Sequence, residues 1–134
     1  MSITLTDQDA LTLRLAAWGA VSLMSAAGAA RSAHKAATHG SLALTAATGP
    51  VGHVITKAPK GVKYGKTVAE LADQVLPALT AAVNLLKQQD PAEAGNFRRT
   101  VIVAVEAASR SHQGEPGPTM TEMARKITEA LDAA

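Results

Sequence analysis

The sequence predicts an all-α chain, folded as a compact bundle of about five to six helices in a single domain. Three observations carry that prediction. Alanine supplies 29 of the 63 apolar residues while aromatics make up only 2%, which leaves too little β-branched and aromatic surface for a sandwich or barrel. Helix-start signatures recur at Thr67–Glu70, Asp90–Glu93 and Thr119–Glu122, each an N-capping side chain followed three residues later by a glutamate. Apolar residues then follow each start at spacings of three and four. The 134 residues fit one domain, 1–134, with no repeat of fixed period and no linker.

The elements follow in order. Thr6, with Asp7 and Asp9, opens a first helix. Leu11, Leu15, Trp18 and Ser22 recur at helical spacing, flanked by Leu13, Val21 and Leu23, so the apolar face is wide and the helix should be largely buried, ending near Gly28. An alanine-rich segment over 29–47 has large apolar side chains only at Leu42 and Leu44, and Gly40 is expected to divide it. Thr48-Gly49-Pro50 announces a short helix carrying Val51, Val54, Ile55 and Ala58. The competing reading is a hairpin that pairs 53–56 with 62–64.

Thr67 and Glu70 start the next helix, with a stripe of Val68, Leu71, Val75, Leu79, Ala82, Val83 and Leu86, and Pro77 inside it predicts a kink. After Asp90-Pro91 the inward stripe is Phe97, Val101, Ala104, Val105 and Ala108, ended by polar residues over 109–113. The loop 114–118, with two glycines and two prolines, separates it from a last helix that faces Met120, Met123, Ile127 and Leu131 inward.

Composition bounds the function. The absence of cysteine excludes disulfides and cysteine-ligated zinc or iron–sulfur sites. The N-terminus lacks the basic start of a secretory signal, and neither uncharged stretch, 15–30 or 36–56, matches the roughly 20 predominantly apolar residues of a spanning helix. A soluble, cytoplasmic protein with no membrane span is the expectation. The net charge of +2 is uneven, because Lys57, Lys60, Lys63 and Lys66 stand together with no acid between them. A general nucleic-acid binder would spread its charge over a face.

Catalytic and metal motifs are missing. His34 and His39 lie five apart, so on a helix they diverge by about 140°. There is no HExxH, no GxSxG elbow and no SxxK. Glu70 and Asp73, one turn apart, could share a cation, but capping and solubility explain them. Three residues intervene between Gly61 and Gly65 where the motif needs four, so Gly65-Lys66-Thr67 misses the phosphate-loop pattern. No catalytic residue, metal ligand or cofactor is assigned. The one local candidate is an anion-binding tract of Lys57, Lys60, Lys63, Tyr64 and Lys66, which leads into a helix N-terminus where backbone donors favour phosphate or nucleic-acid backbone.

The segment Val101 to Leu131, VIVAVEAASRSHQGEPGPTMTEMARKITEAL, is similar to the helix–loop–helix of TerB-like tellurite-resistance domains, and Trp18 to Gly28, WGAVSLMSAAG, resembles the first half of that unit. The resemblance implies a compact all-helical domain associated with stress or membrane-linked complexes. The acidic loop residues of that family have no counterparts after Gly28, and Glu122 is a single carboxylate, so metal binding does not carry over.

Three functional expectations result. The first is a non-enzymatic helical domain acting through protein–protein contacts or self-association as a homodimer, because 36–56 is uncharged and poor in large side chains. The second is anion binding at the lysine tract. The third is a small-molecule pocket or enzyme between helices, lined by Trp18, Tyr64 or the histidines.

Overall fold

Helix α1 (Asp7–Ala27) is the axis of the fold, and every other helix touches it. The computed structural model describes residues 4–28, 33–60, 64–110 and 118–134, with the backbone alone for 33–36. Among these, α1 is followed by α2 (Ala33–Thr45), α3 (Gly49–Ile55), α4 (Val68–Gln89), α5 (Pro91–Arg110) and α6 (Pro118–Asp132), and there are no strands. The all-α bundle is therefore present, with six helices among the described residues.

The composition of α1 explains its position. A helix apolar on all sides must be covered on all sides, and no residue of α1 after Gln8 is exposed. Its length and apolarity would also suffice to cross a membrane; in this bundle the same surface packs on five neighbours. Leu13, Ala16, Ala17, Ala20, Leu23 and Met24 are fully buried, whereas Leu11, Leu15, Trp18 and Ser22 lie on the half-buried side. Thr6 caps the helix by accepting from the Asp9 amide while Asp9 accepts from the Thr6 amide. This reciprocal pair satisfies two amides that an uncapped helix start leaves open.

Small residues set how closely the neighbours approach. A Cβ added at Gly19 would lie 2.5 Å from Val75 Cγ2, so α4 packs directly on that turn of α1. Gly40 does the same for α2, where a Cβ would lie 2.8 Å from Val21 Cγ1. The expected division at Gly40 does not occur, and α2 runs through it. Contact with α1 outweighs the roughly 1 kcal/mol that a mid-helix glycine costs.

The apolar stripes fall where their spacing places them. Leu71, Val75, Leu79, Ala82, Val83 and Leu86 of α4, Phe97, Val101, Ala104, Val105 and Ala108 of α5, and Met120, Met123, Ile127 and Leu131 of α6 are all buried. Val68, at the solvent end of its stripe, is 40% exposed. Helix α4 continues unbroken through Pro77, which sits on the exposed side. The Thr80 hydroxyl donates to the Ala130 carbonyl at 2.6 Å and joins α4 to α6.

None of the three glutamates closes a capping box on its own helix start, and Glu93 at the start of α5 accepts from the Val51 amide instead. Glu70 does not close a capping box on Thr67; its Oε2 accepts from the Lys66 amide at 2.8 Å, one residue further back. At α6 the helix begins at Pro118, so Thr119 lies inside the first turn and Glu122 is released from capping to pair with Arg125. Proline at a first helical position loses no backbone bond, because that amide has no intrahelical partner. The expectation of a loop through residue 118 is thus one residue too long.

Candidate functional site

The chain offers three surfaces with chemistry: the segment around the lysines, the groove between α5 and α6, and the outer face of α2 with the adjoining edge of α5.

The lysine segment begins at α3, and α3 is held at both ends. At its N-terminus Glu93 Oε1 accepts from the Val51 amide at 3.0 Å, and the Asn96 amide nitrogen donates to the Thr48 carbonyl at 3.0 Å. At its C-terminus Arg14 Nε donates to the Val54 carbonyl and Trp18 Nε1 to the Ile55 carbonyl, both at 2.9 Å. The carboxylate meets the positive end of the helix and the guanidinium meets the negative end, the pairing that the helix dipole favours. Residues 49–55 are helical, so the hairpin alternative for 53–56 is set aside. Ala58 falls beyond the helix and is exposed, while Val51 and Ile55 reach the core.

Beyond α3, Lys57, Lys60 and Lys66 are exposed. Lys63 lies outside the described residues. Tyr64 is half-buried and packs against the core, where burial pushes its phenol above the usual tyrosine range. Near the start of α4 three backbone donors already have partners within the chain. The Gly65 amide donates to Gln74 Oε1, the Lys66 amide to Glu70 Oε2, and the Glu70 amide to Thr67 Oγ1. An anion arriving there would meet the Glu70 carboxylate and compete with these bonds.

The second surface is a groove of about 750 Å³ between α5 and α6. Ile102, Val105 and Ala124 line its apolar part, and Ser109, Thr121 and Thr128 add hydroxyls. Its charged rim is internally paired. Glu106 binds Arg110 at 3.0 Å, Asp132 binds Arg98 at 2.8 Å, and Glu122 and Glu129 both bind Arg125. These bonds hold the Asp132 and Glu122 carboxyls below the ordinary carboxylate range.

The third surface is the outward side of α2. Thr38, His39, Leu42, Thr45 and Ala46 face solvent, and none carries a fixed charge. Leu42 is 62% exposed, and on α5 Val103 is 55% exposed. Val103 lines a shallow groove of about 400 Å³ together with Ala43, Ala46, Ala47, Thr48, Arg99 and Thr100. Sequence reasoning marked 36–56 as an uncharged interface candidate but did not find Val103, which its spacing places outside the buried stripe of α5. That outward position was the available signal.

The two histidines with described side chains form no metal site. His39 and His53 are exposed, and among the described residues no group of three histidine, aspartate or glutamate side chains could hold a metal ion. His112 and the side chain of His34 lie outside the description. No family model, curated protein or solved structure matches the chain.

Proposed function

We propose that the chain is a non-enzymatic helical domain that acts through protein–protein contacts, using the outer face of α2 and the neighbouring edge of α5. The observation that carries this reading is the charge-free outward side of α2 from 37 to 46. A surface helix ordinarily turns charged residues to water, as α6 does with Glu122, Arg125, Lys126, Glu129 and Asp132. A single exposed leucine would mean little. Leu42 on α2 and Val103 on α5 are both exposed, residues 37–46 carry no charged side chain, and the alanine-rich groove that Val103 lines offers apolar area suited to burial against a partner. A photo-reactive residue placed at 42 or 103 should give protein adducts in cells, and one at 126, on the outer side of α6, should not. Equal labelling at the three positions, or none at any, overturns the reading.

A small-molecule site is the second reading, supported by the size of the α5–α6 groove, which falls within the roughly 300–1,000 Å³ of ligand pockets. Filling it with Ala124→Trp should abolish any thermal shift produced by apolar small molecules, and a shift that survives that change places binding elsewhere.

A further inference from the structure

We propose that the groove between α5 and α6 binds an apolar monocation, an organic amine whose hydrocarbon body lies on the groove floor and whose ammonium group pairs with Glu129. This assignment rests on the reading of the groove as a small-molecule site, and the ligand class follows from the charges that line it.

The floor comes from helical spacing. Ile102, Val105 and Ser109 recur at three and four on α5, and Thr121, Ala124 and Thr128 do so on α6, so each helix turns one side into the groove. Ile102, Val105 and Ala124 make the floor apolar, and about 750 Å³ gives room for a ligand of small-molecule size.

The rim decides the sign of the ligand. Arg110 pairs with Glu106 and Arg98 with Asp132, one guanidinium to one carboxylate. Arg125 is shared. Its Nε donates to Glu122 Oε2 at 3.0 Å and its Nη2 to Glu122 Oε1, a two-point pairing, while its Nη1 donates to Glu129 Oε1. One positive charge thus serves two carboxylates, and Glu129, which lines the groove, is the surplus one. Its second oxygen, Oε2, accepts from no described residue. Lys126 is exposed on the outer side of α6 and does not line the groove. Residues 111–117 carry one charged side chain, Glu115, whose negative sign cannot reverse the excess. An ammonium group, compact and with donors only, can take the free oxygen while Arg125 keeps its bonds. An anion would have to displace a carboxylate from its arginine. A single surplus charge also suits one cation rather than the several of a basic peptide.

The test compares three probes that share a body and differ in head group: phenylbutylamine, phenylbutanol and phenylbutyrate. Each is titrated at neutral pH into the isotope-labelled full chain and followed by amide chemical shifts. The amine should bind most tightly, the alcohol less and the carboxylate least, with shifts concentrated on the groove residues of α5 and α6. Glu129→Gln should weaken the amine about fivefold, the upper range for an exposed ion pair, and leave the alcohol unchanged. Asp73→Asn removes one charge from an exposed position outside the groove and should change neither. Both variants alter surface side chains, so their helical circular dichroism should match the parent. Equal affinity for the three head groups overturns the assignment, and so does amine binding that Glu129→Gln leaves intact. No shift at the groove with any probe at millimolar concentration overturns it as well. If amine and alcohol bind alike and Ala124→Trp abolishes both, the small-molecule reading stands and the cation preference alone falls. If Ala124→Trp abolishes neither, the two fall together.

Discussion

The indole Nε1 of Trp18 donates to the carbonyl of Ile55 at 2.9 Å, joining the central helix to the last turn of a seven-residue helix 37 positions away. A helix that short is not stable by itself in water. It persists here because Trp18 and Arg14 hold one end and Glu93 and Asn96 the other.

Removing either clamp should be costly in a specific way. Trp18→Phe keeps an aromatic ring, though a smaller one, and leaves the Ile55 carbonyl without its donor, for an expected loss of about 1–3 kcal/mol. Glu93→Ala leaves the Val51 amide unpaired, with a loss of similar size. The double variant should lose less than the two losses added, because α3 detached at one end gives up the other bond at little extra cost. Urea denaturation followed by circular dichroism measures all three; full additivity would show that the two ends of α3 are independent.

At Gly40 two principles oppose each other. Alanine in place of a mid-helix glycine ordinarily adds about 1 kcal/mol of stability. Here the new Cβ would lie 2.8 Å from Val21 Cγ1 and 3.4 Å from the Ala104 carbonyl oxygen, and overpacking of this kind costs about 1–3 kcal/mol. Gly40→Ala should therefore lower the melting temperature, and adding Val21→Ala should recover part of the loss specific to the glycine change. A melting temperature raised by Gly40→Ala alone would mean that α2 and α1 separate easily.

Acid stability should depend on Asp132. Its hydrogen bond with Arg98 depresses the folded-state pKa, so its contribution is present above the unfolded carboxylate pKa and is lost as pH falls through the folded value. Asp132→Asn should make stability fall less steeply below about pH 4, near the unfolded aspartate value, with little change in that slope near neutrality. The comparison needs urea midpoints for both proteins between pH 2 and pH 6. Parallel curves would show that the pair does not contribute.

Lys57 and Lys60 project into solvent, and no stabilising role is visible for their charges. The double reversal Lys57→Glu with Lys60→Glu should leave stability within about 0.5 kcal/mol of the parent. If the tract binds phosphate or duplex DNA at low salt, the same variant should lose that binding. Fluorescence anisotropy with labelled DNA across a salt series checks this, and binding unchanged by the reversal rules the tract out.

Much of the fold is legible in residue order alone, because helical periodicity is a local property. The spacing of Leu71 through Leu86, Phe97 through Ala108 and Met120 through Leu131 is enough to name the buried face of three helices. Thr67 and Asp90 likewise mark the two starts at which their side chains accept from nearby amides. Local grammar misleads where a distant contact changes the balance. Gly40 reads as a break until Val21 is seen against it, and Thr119 reads as a cap although Pro118 already begins the turn.

The candidate surface divides in the same way. Sequence by itself determined that 36–56 is uncharged and that α2 would have few large side chains to bury. Only tertiary packing decided which of two leucines two positions apart faces out, since Leu44 is fully buried while Leu42 is 62% exposed. It also brought Val103 of α5 into one groove with Ala43 of α2, and it paired the Gly65, Lys66 and Glu70 amides with Gln74, Glu70 and Thr67. Periodicity gives the angle between side chains on one helix. The side of α2 that meets water is set by the area buried where α2 packs against α1 and α5, and that area belongs to all three helices together.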